Sequence, residues 1–146
     1  MDETLRSRWL DLAQARIANA GLHSGAARAR VVDALSRHAQ CLTDARAIFE
    51  RLHAEGQPGS QASVYRILDE LYGLGLLHRS NDKHGVALYE IAHPDRRHHH
   101  VVDEETGAVQ PFEDAKLERA IHDAARRAGI RLTSHEVLLR GTRLTD

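Results

Sequence analysis

Four helical patterns followed by the pattern of a β-hairpin fill the first 92 residues, and this order constrains the fold more than any other feature of the chain. Apolar residues at helical spacing predict helices at residues 3–20, 26–38 and 44–55, and a fourth from Ser60 or Ser63 to Gly73. Strand patterns at 76–80 and 86–91 flank the turn-like sequence NDKHG. This order is typical of a winged helix-turn-helix, in which one helix enters the major groove of DNA.

Polar residues suited to helix capping precede the second and third predicted helices. Ser24 is expected to cap the second helix, and Thr43 or Asp44 the third. Their side-chain oxygens can accept hydrogen bonds from the free amides of a first helical turn.

Pro94 and the charged run after it predict a hinge that divides the chain. The expected domains are residues 1–92 and 98–146, with the hinge at 93–97. The second domain has strand patterns at 98–103, 109–112, 130–132 and 136–140, and a helical pattern at 114–128. The fold class is therefore α+β, a winged helix-turn-helix domain followed by a small α/β domain. Roughly 50 residues bury little surface alone, so this domain is expected to pack against a second copy as a homodimer.

The charged residues are nearly balanced, with 20 basic and 21 acidic side chains and a net charge of −1. Any contact with nucleic acid must therefore depend on the local arrangement of charges. No apolar run approaches the roughly 20 residues of a membrane span, and the amino terminus has no signal-peptide core, so no membrane partner is expected. Cys41 is the single cysteine, which excludes a four-cysteine zinc site and fits a cytoplasmic location.

Three adjacent histidines, His98, His99 and His100, follow the predicted hinge. In a strand, side chains alternate between faces, so His98 and His100 would share one face while His99 points away. With Glu90 from a neighbouring strand, the first two would supply three of the four ligands of a tetrahedral metal ion. The alternative is a surface strand whose histidines bind nothing.

The fourth predicted helix carries the sequence SVYRILDEL, which places Ser63, Tyr65, Arg66 and Asp69 off its apolar stripe. Polar and aromatic side chains near a helix start can reach phosphates and base edges in DNA. The alternative is a helix whose tyrosine packs and whose arginine is merely solvated.

Four segments in this order resemble the ferric uptake regulator family of metal-dependent transcriptional regulators, over about residues 21–141. They are SVYR at 63–66, LYE at 88–90, HHH at 98–100 and GIRLTSHEVLLRG at 129–141. The resemblance implies a DNA-binding repressor of metal-uptake or metal-homeostasis genes. It also implies a divalent transition metal as co-repressor, with zinc, iron and manganese as candidates.

The resemblance also implies roles for individual residues. Contacts with an operator in double-stranded DNA would come from Ser63, Tyr65 and Arg66 of the recognition helix, with Arg28 contacting the backbone. A regulatory metal site between the domains would use His78, Glu90, His98 and His100. A second site, within the dimerisation domain, would use His99, Glu118 and His135.

The chain departs from the family at several ligand positions. The two cysteine pairs of the structural zinc are missing, with Asp103 and Thr106 in place of the first pair, as in a subgroup of the family. Pro111 stands where a late acidic ligand is usual, and Glu113 lies two residues further on. An early histidine ligand is replaced by Cys41 or Leu42, so Cys41 is either a metal ligand or a buried small residue.

Two other classes of function compete with a metal-responsive regulator. A regulator of the same fold could sense haem or oxidants through the histidine-rich segment or Cys41. A metal-dependent hydrolase is excluded more easily, because the chain has neither an HExxH motif nor a glycine-framed serine, so we expect no enzyme activity. Five further histidines are taken as surface residues; these are His38, His53, His84, His93 and His122.

Overall fold

Two compact units make up the chain, an N-terminal unit at Met1–His93 and a C-terminal unit at Pro94–Asp146. The computed structural model describes residues 2–22, 25–56, 59–94 and 98–145. The boundary between the units falls in the predicted hinge, whose residues 95–97 lie outside the described part.

The N-terminal unit is a winged helix-turn-helix, as the sequence predicts. Its helices are α1 (Glu3–Asn19), α2 (Ala26–His38), α3 (Ala45–Ala54) and α4 (Gln61–Gly73), and its strands are β1 (Thr43–Asp44), β2 (Leu77–Asn81) and β3 (Ala87–Ile91). The three strands form an antiparallel sheet in the order β1-β3-β2. Strand β1 was not predicted, because two residues are too short to show an alternating pattern.

Two of the helix caps follow the sequence and one does not. Asp44 caps α3 by accepting a hydrogen bond from the Ala47 amide at 2.7 Å, and Ser60 caps α4 by accepting from the Ser63 amide at 3.1 Å. At α2 the N-cap residue is Gly25, which has no side chain to accept a hydrogen bond. The predicted cap, Ser24, lies outside the described residues.

Helix α1 is tied to the end of α4 by two side chains. The buried Trp9 indole donates a hydrogen bond from Nε1 to the Leu76 carbonyl at 2.9 Å. Arg16 donates from Nη1 to the carbonyls of Leu74 at 3.1 Å and Gly75 at 3.0 Å. The two bonds from Arg16 satisfy carbonyls at the end of α4, whereas the Leu76 carbonyl also accepts from the Ala92 amide at 2.9 Å. Together the two side chains hold the end of α4 against α1.

The C-terminal unit is a three-stranded sheet with one helix. Its elements are β4 (His99–Asp103), β5 (Val109–Phe112), α5 (Ala115–Arg127) and β6 (Leu138–Gly141). The sheet order is β5-β4-β6, with β4 antiparallel to β5 and parallel to β6. The strand predicted at 130–132 is wrong: the Ile130 amide donates to the Ala125 carbonyl at 3.1 Å and so completes the end of α5 instead of a sheet ladder.

Within the described part of the chain, no helix is both long enough and apolar enough to cross a membrane.

Candidate metal and DNA-binding sites

Helix α4 presents polar and aromatic side chains opposite its buried stripe. Tyr65 and Arg66 are exposed, the Arg66 side chain by 64%. Ser63 lies in the first turn, where its hydroxyl is 2.9 Å from that of Ser60. The buried residues of the opposite face are Val64, Ile67, Leu68 and Leu71. The predicted DNA-reading residues therefore share an accessible helix surface near a helix start, where backbone amides also favour phosphate.

Arg28, also predicted to contact DNA, joins α2 to α4. Its Nε and Nη2 atoms donate to Glu70 Oε2 at 3.1 and 2.8 Å, and only 13% of its side chain is exposed. Arg66 lies 3.7 Å from the other oxygen of Glu70. Two N–H groups of Arg28 thus bond to one oxygen of Glu70, which restricts how far the guanidinium can reach toward a phosphate.

The β2–β3 hairpin brings two predicted metal ligands together. His78 is the residue directly opposite Glu90 in the antiparallel pair. Glu90 is 1% exposed and His78 is half-buried. Opposite residues in such a pair project to the same face, so the hairpin offers an imidazole and a carboxylate side by side.

Strand β4 separates the three histidines as side-chain alternation predicts. The rings of His98 and His100 lie with their centroids 4.7 Å apart. His99, which is fully buried, packs instead with its ring centroid 5.2 Å from that of His135. His98 and His100 belong to the C-terminal unit and Glu90 to the N-terminal unit.

His99, Glu118 and His135 form a cluster within the C-terminal unit. His99 lies on β4, Glu118 in the first turn of α5 and His135 in the segment before β6. The Nε2 atom of His99 is hydrogen-bonded to Glu118 Oε1, and the Nε2 atom of His135 lies 2.8 Å from Glu118 Oε2. Candidate ligand atoms of all three residues lie within 4.8 Å of one another, a spacing suited to one cation.

The carboxylate of Glu118 is stabilised in its charged form although it is buried. Burial is the largest single influence and raises its pKa, but the hydrogen bonds and charges of His99 and His135 together outweigh it, so the pKa lies below the ordinary glutamate value. Glu118 is therefore an ionised acceptor at neutral pH.

Neither of two further candidate ligands, Cys41 and Glu113, belongs to a group of described residues whose ligand atoms are spaced for one ion. Cys41 is exposed, so the interpretation of it as a buried small residue is wrong. Glu113 is exposed in the connection between β5 and α5.

The positions of the missing first cysteine pair form a hydrogen-bonded turn. Asp103 accepts from the amides of Glu105 at 2.9 Å and Thr106 at 3.4 Å, and the Thr106 hydroxyl accepts from the Ala108 amide at 3.1 Å. The amide of Glu105 is the main reason why the pKa of Asp103 lies below its usual value. Local hydrogen bonds thus order this segment.

His122 is a functional candidate that the sequence analysis treated only as a surface residue. Its Nε2 atom lies 4.0 Å from Glu118 Oε2, and its ring centroid lies 5.8 Å from that of His135. The sequence already indicates that His122 lies beside Glu118, since residues four apart on a helix share one face.

A winged helix-turn-helix and a separate α/β unit with a His–Glu–His cluster together define a DNA-binding regulator of the metal-binding kind. The model of the ferric uptake regulator family matches residues 19–140. The ferric uptake regulation protein of Pseudomonas aeruginosa is 32% identical over 121 residues, 82% of this chain and 89% of the relative. That of Cupriavidus metallidurans is 30% identical over 132 residues, 90% of this chain and 92% of the relative.

Solved structures agree with this relationship. The ferric uptake regulator from Pseudomonas aeruginosa with manganese has a TM-score of 0.77 and 27% identity, and covers 90% of this chain and 98% of its own. A zinc-bound manganese uptake regulator has a TM-score of 0.60 and 25% identity, and covers 94% of this chain and 99% of its own. The chain belongs to the ferric uptake regulator family, whose members are metal-responsive transcriptional regulators and not enzymes. The predicted family and fold are confirmed.

Proposed function

We propose that this protein is a repressor of metal-uptake or metal-homeostasis genes that uses a divalent transition metal as co-repressor and acts on DNA in the cytoplasm as a homodimer. The observation that carries the proposal is the His98–His100 pair, two imidazole rings 4.7 Å apart on one face of a strand, in a chain whose other unit is a winged helix. Neutral imidazoles are the commonest protein ligands of transition metals.

The regulatory ion is proposed to be held by His98 and His100 of the C-terminal unit with Glu90 and His78 of the N-terminal unit. Nitrogen and oxygen ligands suit zinc, iron and manganese, and the relatives in solved structures carry manganese and zinc. Cys41 and Glu113 are possible additional ligands. A second ion is proposed in the C-terminal unit, at the cluster of His99, Glu118 and His135.

If residues of both units bind the same ion, metal binding can change the affinity for DNA. With the ion bound, the ligands of the two units are fixed to each other, so the recognition helices of a dimer would be held at the spacing of successive major grooves. Such coupling is reciprocal: metal and operator raise each other's affinity by the same factor. Contacts with DNA are assigned to Ser63, Tyr65 and Arg66, with Arg28 at the backbone.

Fluorescence anisotropy with operator fragments, selected from genomic DNA in the presence of manganese, tests the proposal. Added Mn²⁺ or Zn²⁺ is expected to tighten binding by about tenfold or more relative to chelator. Joint replacement of His98 and His100 by alanine should remove this response, whereas His84→Ala, an exposed change in the hairpin turn, should keep it. Equal affinity with chelator and with each metal would overturn the proposal.

The exposure of Cys41 supports a second candidate, a regulator of the same family that responds to oxidants. In that case peroxide treatment would release the operator from the protein that lacks His98 and His100, and Cys41→Ser would abolish the release.

A further inference from the structure

We infer that Glu70 is a positioning residue for DNA binding, whose carboxylate is anchored by Arg28 and holds the Arg66 guanidinium in place for its contact with the operator. The inference rests on the proposed function, because that function assigns Arg66 to the operator. It adds to the two arginines an acidic residue that contacts both of them.

Arg28 fixes one oxygen of Glu70. Its Nε and Nη2 atoms donate to Glu70 Oε2 at 3.1 and 2.8 Å, and the two side chains are only 13% and 26% exposed. Arg28 lies on α2 and Glu70 on α4, so these hydrogen bonds join two helices. Charge-assisted bonds are strong, and partial burial shields them from salt. The carboxylate of Glu70 is therefore held by a tertiary contact.

The other oxygen of Glu70 faces Arg66. The Nη1 atom of Arg66 lies 3.7 Å from Glu70 Oε1, in an ion pair between residues four apart on one helix. The Arg66 side chain is 64% exposed, and a guanidinium has five N–H groups, so donors remain open to DNA. One carboxylate thus contacts two arginines through different oxygens, Arg28 by hydrogen bonds and Arg66 by a looser ion pair.

This arrangement restricts the Arg66 side chain before DNA arrives. An arginine side chain has many rotamers, and ordering it on binding lowers the affinity. Phosphate contacts at defined places set the register of a protein on its operator, whereas binding to other DNA depends mainly on total charge. A guanidinium held in place by Glu70 should therefore favour the operator over other DNA.

The Arg46–Glu50 pair of α3 is a matched control for Arg66–Glu70. It has the same order and the same spacing of four, and Arg46 Nε lies 3.0 Å from Glu50 Oε1. Its side chains are 76% and 62% exposed, so this pair is solvated on both sides. Changes at Glu50 therefore reproduce the chemistry of a change at Glu70 outside the recognition helix.

Glu70→Asp tests the inference, because aspartate keeps the charge but is one methylene shorter and cannot contact both arginines as glutamate does. In anisotropy titrations with Mn²⁺, operator affinity should fall by about two- to tenfold, the effect of an arginine that must be ordered on binding. Affinity for a fragment of scrambled sequence, and the slope of log affinity against log salt, should change little because the charge is kept. Glu50→Asp should alter none of these quantities.

Two further measurements separate positioning from support of the fold. In a protein that carries Arg66→Ala, Glu70→Asp should have no further effect on operator affinity, because the guanidinium that it positions is gone. NMR relaxation of the Arg66 Nε–H group should show more motion in Glu70→Asp than in the parent. Circular dichroism verifies that each variant is folded.

The outcomes that overturn the inference are distinct from those that overturn the proposed function. Glu70 is not a positioning residue if Glu70→Asp leaves operator affinity unchanged, weakens both DNA fragments equally, or still weakens operator binding beside Arg66→Ala. An Arg66→Ala variant that binds the operator like the parent has the same consequence. In each case the regulator stands if Mn²⁺ tightens operator binding by the unmodified protein. If Mn²⁺ and Zn²⁺ both leave that binding unchanged, the proposed function fails.

Discussion

His78 on β2 lies directly opposite Glu90 on β3, so the wing of the winged helix carries an imidazole and a buried carboxylate as cross-strand neighbours. A charged carboxylate is costly to bury unless it is paired or bound to a cation. The pairing places two side chains of kinds that bind transition metals on the hairpin that follows α4. A metal ion bound there would therefore act on the DNA-binding unit directly.

Glu90→Gln is expected to lower the affinity for Mn²⁺ or Zn²⁺ by about tenfold or more, because the amide keeps the shape of the side chain and loses its charge. The metal-dependent part of operator binding should fall with it. In the presence of chelator the thermal midpoint should change little, since glutamine fills the same buried volume. Isothermal titration calorimetry and thermal unfolding measure the two effects.

Glu50→Gln is the matched control for this substitution. Glu50 is exposed on α3, where it pairs with Arg46 at 3.0 Å. Equal loss of metal affinity in the two variants would argue against a ligand role for Glu90.

Arg66→Ala should weaken operator binding and lower the slope of log affinity against log salt by about one, the effect of losing one phosphate contact. The fold should be unchanged, because the Arg66 side chain is 64% exposed. Anisotropy titrations at several salt concentrations give the slope. Arg46→Ala removes a more exposed arginine, of α3, and should leave the slope unaltered.

The Arg28–Glu70 pair is expected to stabilise the N-terminal unit. Arg28→Ala should lower the free energy of unfolding by about 2 kcal/mol, since it removes two charge-assisted hydrogen bonds that are mostly shielded from solvent. Urea unfolding of Arg28→Ala, Glu70→Gln and the double variant gives the coupling energy. A coupling energy near zero would show that the pair does not stabilise the unit, and a reduced salt slope for Arg28→Ala would then leave contact with DNA as the role of Arg28.

The sequence predicts the long elements of this fold well, because their apolar residues repeat over several turns. Helices α1 to α4 begin and end within a few residues of the predicted positions. Strand β1 was not predicted and residues 130–132 were wrongly predicted as a strand, each for a physical reason. A two-residue strand has no period, and the apolar residues at 130 and 132 alternate like a strand while the amide of Ile130 is used by the end of α5.

The candidate site is predictable only in part for a similar reason. Alternation in a strand separates His99 from His98 and His100 without any knowledge of the fold. The position of His122 beside Glu118 needs only the helical period, but its approach to His135 depends on how the segment before β6 returns to α5. The hydrogen bond that the Val137 amide donates to His99 Nδ1 depends on the same return.

Asp82 gives the hairpin of the wing an acid-sensitive turn. Its Oδ1 atom accepts from the amides of Val86 at 3.0 Å and His84 at 2.8 Å, and the bond from Val86 is the main reason why the pKa of Asp82 lies below its ordinary value. Because the pKa is lower in the folded hairpin than in the unfolded chain, where it is about 3.9, the stabilisation is complete above that value. It is lost as the pH falls through the depressed folded pKa.

Carboxyl-detected NMR of Asp82, with the amide shifts of His84 and Val86, follows this loss. The carboxyl is expected to titrate below about pH 3.9, and the two amides should shift with the same midpoint. Asp82→Asn keeps an acceptor oxygen but cannot ionise, so its amide shifts should stay constant over the same range. A carboxyl that titrates at the ordinary aspartate value, with amides that do not follow it, would show that the side chain does not hold the turn in solution.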